Sequence, residues 1–119
     1  MFQSNTRFWD DLAIQSYKDL LKKDPSNPLI HKNLGLAYVR IKKDNKAIRS
    51  FQRAIKAKKD YAEAYYHLGT LYQSMGKKAE AIRCYNNYHK FEKITRQHCG
   101  VVDELVDQLK TEQELEASL

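Results

Sequence analysis

"HLGTLYQSMGKKAEAIRCY", residues His67 to Tyr85, places a glycine, Gly69, near the start of a run that otherwise reads as helix. A glycine inside a helix costs roughly 1 kcal/mol relative to alanine, so Gly69 calls for a specific reason. Shifted back by 34 residues, the stretch lies without a gap on "NLGLAYVRIKKDNKAIRSF", Asn33 to Phe51. Leu34, Gly35, Tyr38, Lys43, Ala47, Ile48 and Arg49 fall on Leu68, Gly69, Tyr72, Lys77, Ala81, Ile82 and Arg83, and Phe51 falls on Tyr85. Self-similarity at a fixed period marks a repeat array.

Each unit reads as two helices. The first runs over about 28–41, with Leu34, Ala37, Tyr38 and Ile41 on one face. The polar link "KKDN" turns the chain, and a second helix over about 46–58 carries the stripe Ala47, Ile48, Phe51, Ala54, Ile55. The next unit repeats this with a helix over about 62–75, a stop at Gly76 and a helix from about Lys78.

The period of 34 with Leu-Gly-x-x-Tyr, then Ala, then an aromatic, resembles the tetratricopeptide repeat. The resemblance implies an all-α fold, an α-solenoid of antiparallel helix hairpins forming a superhelix. It implies about two and a half repeats: residues 1–27 as an N-terminal segment with the second helix of a partial repeat, 28–61 and 62–95 as repeats, and 96–119 as a capping helix with an acidic tail. On this reading Gly35 and Gly69 lie where the helices of a hairpin cross, facing Ala47 and Ala81. A phosphate-binding loop is the poorer explanation, because no strand precedes either glycine and no glycine-rich run surrounds it.

Ala13, Ile14, Tyr17, Leu21 and Pro25 stand 34 residues before Ala47, Ile48, Phe51, Ile55 and Lys59, so residues 9–24 resemble a second helix without its first. The family closes this helix with proline, which Pro25 keeps and Lys59 and Lys93 do not. Either the chain is cut from a longer array, or "MFQSNTRFW" covers the open face with Phe2, Phe8 and Trp9. At the other end Tyr88 and His89 replace Ala54 and Ile55. After Gly100, "VVDELVDQLKTEQELEASL" reads as an amphipathic helix with Val102, Leu105, Val106 and Leu109 on one face, the cap that repeat arrays use.

Hydrophobic residues make up 42% of the 119, enough for a core. No apolar stretch is long enough to span a bilayer, and the N-terminus lacks the pattern of a secretory signal. Two cysteines, Cys84 and Cys99, are too few for a disulfide framework, and a reducing, cytoplasmic setting is expected. Residues 1–100 have a net charge of +11 and residues 101–119 of −5.

His31, His67, His89 and His98 with Cys84 and Cys99 match no zinc or haem spacing, so neither metal nor cofactor is expected. No nucleophile elbow, paired-carboxylate spacing or phosphate cradle is present, and the expectation is a protein that is not an enzyme. Tyr17, Tyr38, Phe51, Tyr72 and Tyr85 fall on packing positions and read as core. Lys46, Arg49, Arg53 and Lys56 read as a solvated outer face. Nucleic-acid binding therefore rests on the basic balance alone.

The resemblance implies that first helices line a concave groove. The residues there not used for packing are Leu29, Lys32, Asn33, Leu36 and Arg40 in one unit, and Glu63, Tyr66, His67, Thr70 and Gln73 in the next. Such a groove suits a peptide or helix of another protein, with acids on Lys32 and Arg40. The acidic tail, Asp103 to Glu116, is a candidate occupant. One subclass of the family clamps chaperone C-terminal carboxylates. Asn33 fits its middle asparagine, but Glu63 and His67 replace its lysine and arginine and its first helix is missing, so that partner is not expected. The alternative function is a self-association scaffold working through exposed terminal faces, with Trp9, Leu12 and Leu20 partly uncovered and a homo-oligomer as the product.

Overall fold

The computed structural model describes residues 2–92, 106, 108–114 and 116, with side chains from Arg7 onward. Expectations that fall on Lys93, His98, Cys99, Gly100, Val102, Asp103 and Leu105 lie outside the described residues. Among the described residues, five unbroken helices follow one another: α1 (Phe2–Lys23), α2 (Pro28–Arg40), α3 (Asp44–Ala57), α4 (Ala62–Ser74) and α5 (Lys78–Phe91). The described residues among 106–116 are also helical. The class is all-α and built of helical hairpins, as the resemblance implied.

Local chemistry sets the helix ends. Asn27 caps α2, its side chain accepting from the backbone N–H of Leu29 and Ile30 at 3.0 and 3.3 Å, while Pro28 occupies the first turn, where no N–H is needed. His31 closes the preceding turn by donating from Nε2 to the Pro25 carbonyl at 2.7 Å. Both hairpin turns use the same device. Lys43 N–H reaches Tyr38 O and Lys42 N–H reaches Val39 O; Lys77 N–H reaches Tyr72 O and Gly76 N–H reaches Gln73 O. This paired pattern is the Schellman motif, which needs one left-handed residue. Gly76 supplies it at φ +78° without strain, whereas its counterpart Lys42 adopts φ +65° against a Cβ cost of about 1 kcal/mol.

Two expectations about helix ends are corrected. α3 begins at Asp44, two residues before Lys46, because Asp44 places an acid in the first turn, where the helix dipole favours it. Of the two alternatives for the start of the chain, cover of the open face by Phe8 and Trp9 is not observed: residues 2–8 continue the helix of 9–23, and the two rings are 62% and 63% exposed.

The chain divides into two compact units, at Lys59 and Asp60. In the first, α2 packs on both α1 and α3, and Ile14, Leu34, Ala37, Tyr38, Ala47, Phe51 and Ala54 are buried. Tyr17 is only half-buried. In the second, α4 packs on α5, and Ala81, Ile82, Tyr85, Tyr88, Val106 and Leu109 form one cluster. Val106 and Leu109 share this cluster with Tyr88, and Tyr72 is half-buried against it.

The glycines face different neighbours from those expected. A Cβ on Gly35 would lie 2.7 Å from Cε1 of Phe51, and one on Gly69 would lie 2.9 Å from Cε1 of Tyr85 and 3.2 Å from Cβ of Cys84. The atoms nearest each missing Cβ are those of the aromatic ring, closer than any of Ala47 or Ala81. Phe51 and Tyr85 are both fully buried, so neither ring can yield cheaply to a methyl group.

Candidate functional site

The candidate residues occupy one row on each of two helices, and each row is described within its own unit. On α2, Leu29, Lys32, Asn33 and Leu36 stand at i, i+3, i+4 and i+7, the spacing of a single helix face. Leu29 is 52% exposed; Lys32, Asn33 and Leu36 are half-buried. This row combines apolar surface with a cation and an amide, chemistry suited to a peptide that presents both a side chain and a carboxylate.

Arg40, at the end of the row, is already engaged. Its Nε donates to Oδ1 of Asp10 on α1 at 2.9 Å, and the Asp10 side chain is only 10% exposed. Sequence reasoning missed this partner because the two residues are 30 apart and on different helices. The 34-residue register did carry a hint, since Asp10 aligns with Asp44 at the start of a second helix.

On α4, Glu63, Tyr66, His67, Thr70 and Gln73 also share a face, but several of them serve the unit itself. Tyr66 packs its ring against Tyr88 at 5.3 Å and Tyr85 at 6.3 Å, with His67 at 5.7 Å. Thr70 Oγ1 donates to the His67 carbonyl at 2.8 Å. Gln73 Oε1 accepts from Tyr85 Oη at 2.6 Å. That bond gives the buried phenol a partner, and burial pushes the Tyr85 hydroxyl up to about 12, with Tyr66 and Cys84 adding to the shift. The Gln73 side chain is therefore largely spent on holding the ring that fills the space beside Gly69. Glu63 is exposed and His67 half-buried.

Two acids of the tail take a different partner from the expected one. Lys78 Nζ pairs with Glu112 at 3.2 Å and with Glu116, so these two carboxylates lie on α5 rather than on Lys32 and Arg40 of the same chain. Donating to these carboxylates raises the Lys78 ammonium above its usual range, the bond to Glu116 contributing most. Cys84 is a free, buried thiol, pushed up to about 11 chiefly by burial, so it is protonated and unreactive near neutrality. Among the described residues no group of three or more His, Cys, Asp or Glu side chains could hold a metal ion, and no helix is long and apolar enough to cross a membrane.

A family model described as "TPR repeat" matches residues 10–42 and 37–76, and one described as "Tetratricopeptide repeat" matches residues 63–90. Serine/threonine-protein phosphatase 5 of Homo sapiens is 29% identical over 96 residues, which is 76% of this chain and 19% of that protein. The chain spans only about a fifth of the length of the curated relatives it matches. Among solved structures, MamA protein is similar at a TM-score of 0.69 and 31% identity, covering 86% of this chain and 59% of that one. The first TPR of Spaghetti (RPAP3), bound to HSP90 peptide SRMEEVD, is similar in fold at a TM-score of 0.77 and 23% identity, covering 95% and 84%.

The Asp10–Arg40 pair changes what an Arg40 substitution should do. Arg40→Ala leaves a nearly buried carboxylate without its partner, and the expected loss is about 1 kcal/mol, or roughly 4 °C in melting temperature, since the guanidinium is half-exposed. Asp10→Ala in the same background should recover part of it. Thermal melts of the four variants check this; an unchanged melting temperature for Arg40→Ala contradicts it.

Proposed function

The chain belongs to the tetratricopeptide repeat family, and on that premise we propose that it holds a peptide or helix of a partner protein against a first-helix face, that of α2 or that of α4, with no catalysis of its own. Tetratricopeptide repeats mediate protein–protein interaction. The observation that carries the reading is the α2 row: an exposed Leu29 with Lys32, Asn33 and Leu36 on the same face. An apolar contact anchors a segment, while an ammonium and a side-chain amide fix its direction and satisfy its backbone. The RPAP3 repeat that this chain resembles in fold holds a peptide, SRMEEVD, which supports the same class of ligand. The favoured ligand here is acidic or carboxylate-ended. Arg40 and Gln73, committed to Asp10 and Tyr85, contribute to the shape of the faces more than to ligand bonds. The reading places the protein in a reducing cytoplasmic setting, in which Cys84 stays a thiol.

The test begins with partners captured from lysate and identified by mass spectrometry, from which the bound segment is mapped and synthesised. Its affinity is then measured by calorimetry for the parent chain and for Lys32→Ala with Leu36→Ala. Weakening by roughly 1–3 kcal/mol is expected, the range of a lost charge-assisted hydrogen bond with some apolar contact. An unchanged affinity overturns the placement on α2.

A self-association scaffold is the second reading, favoured by one observation. α1 buries Ile14 on one side and leaves Trp9, Leu12 and Leu20 63%, 49% and 49% exposed on another. By helical spacing these three lie on one stripe, and apolar stripes of this kind drive association. Sedimentation across a wide concentration range should show a reversible dimer that Trp9→Glu removes; a monomer throughout contradicts it.

A further inference from the structure

α1 and α3 both pack on α2, and their backbones do not meet. A groove of about 290 Å³ lies between them with α2 as its floor. The floor is apolar, with Leu34 and Tyr38 only 4% and 7% exposed, and Leu21 of α1 extends it to one side. The rim is cationic. Lys18 stands on the α1 side, and Lys46, Arg49 and Arg53 stand on α3 at i, i+3 and i+7, all exposed. Beyond Arg53, Lys56 borders a second hollow of about 370 Å³ against Pro25 and His31.

These cations differ from others in the same unit. Arg7 pairs with Asp11, Lys22 with Asp19 and Arg40 with Asp10, whereas among the described residues Lys18, Arg49, Arg53 and Lys56 have no ion pair. Lys46 sits over the Tyr38 ring at 5.8 Å. The imbalance extends to the whole unit, since residues 1–59 carry 14 Lys and Arg against five Asp and Glu. Like charges around one hollow repel one another, and an anion seated among them relieves that repulsion.

We propose that this groove is a second binding site, separate from the α2 and α4 faces, for an acidic segment of a partner protein. Asp and Glu carboxylates lie on Arg49, Arg53 and Lys18, and an apolar side chain between them rests on Leu34. The volume is at the small end of the roughly 300–1,000 Å³ of ligand pockets, which fits a few side chains of an extended segment. A single-stranded nucleic acid is the weaker fit. Proteins that bind it stack bases on exposed aromatic rings, and Tyr38, the aromatic in the lining, is buried. The apolar floor would then go unused.

Fluorescence anisotropy with a labelled peptide of Glu and Asp around a central Leu tests the proposal at low salt. Two controls run beside it: the same peptide with Ser in place of the Leu, and an oligothymidylate of equal charge. The peptide should bind the parent chain, and Arg49→Glu with Arg53→Glu should weaken it at least ~10-fold, two charge-assisted contacts being lost. Arg49→Gln with Arg53→Gln, and Lys18→Gln from the opposite wall, should each weaken it less, with the helical circular dichroism of every variant unchanged. The Ser peptide and the oligothymidylate should both bind more weakly than the Leu peptide. Absence of binding, an affinity indifferent to charge reversal, or an oligothymidylate that binds as tightly as the peptide would each overturn it. Because Lys32 and Leu36 are intact in all of these variants, failure here leaves the α2 face reading standing, and failure there leaves this one.

Discussion

The contact on which each hairpin depends is that between a helical glycine and a buried aromatic ring. Gly35 meets Phe51 and Gly69 meets Tyr85, at separations that no side chain on the glycine could share. A glycine weakens its helix by roughly 1 kcal/mol, while full burial of an aromatic side chain contributes about 2–3 kcal/mol. The ring wins. Its burial lets the second helix of the hairpin lie close on the first, and this closeness fixes which residues of α2 and α4 face outward. The candidate faces are therefore consequences of the glycine positions.

Around that contact, polar chemistry is used to hold the helices and not only to meet ligands. Gln73 sits on a predicted binding face but bonds the phenol that packs against Gly69. Arg40 sits on the other face but neutralises Asp10, joining α2 to α1. Lys78 gathers Glu112 and Glu116, which keeps these two carboxylates on α5. Lys18, Arg49 and Arg53, which have no such ion pair among the described residues, line one groove of the first unit together with Lys46.

Much of the fold was legible because a 34-residue period constrains every element twice. It located the hairpin helices to within about two residues and assigned Phe51, Tyr85, Ala47 and Ala81 to the core. It failed where periodicity carries no information about side-chain direction or partner. Register alone does not tell whether an alanine or the aromatic four residues later reaches the glycine. The turn at Lys42 was invisible because a lysine reads as ordinary polar surface, whereas its counterpart Gly76 signalled the same left-handed geometry plainly. The candidate faces were legible as rows, since helical spacing dictates rows. That Arg40, Thr70 and Gln73 already had partners was not, because those partners depend on tertiary contacts or on local backbone geometry.

The central claim is that glycine and ring are coupled, and a double-mutant cycle on Gly35 and Phe51 measures it directly. Gly35→Ala alone should destabilise by about 1–3 kcal/mol, overpacking outweighing the gain in helix propensity. In a Phe51→Leu background, where the smaller side chain leaves room for the methyl group, the same change should cost much less, giving a coupling of about 1 kcal/mol or more between the two sites. A Gly35→Ala change that stabilises the parent, or that costs the same in both backgrounds, would contradict the account.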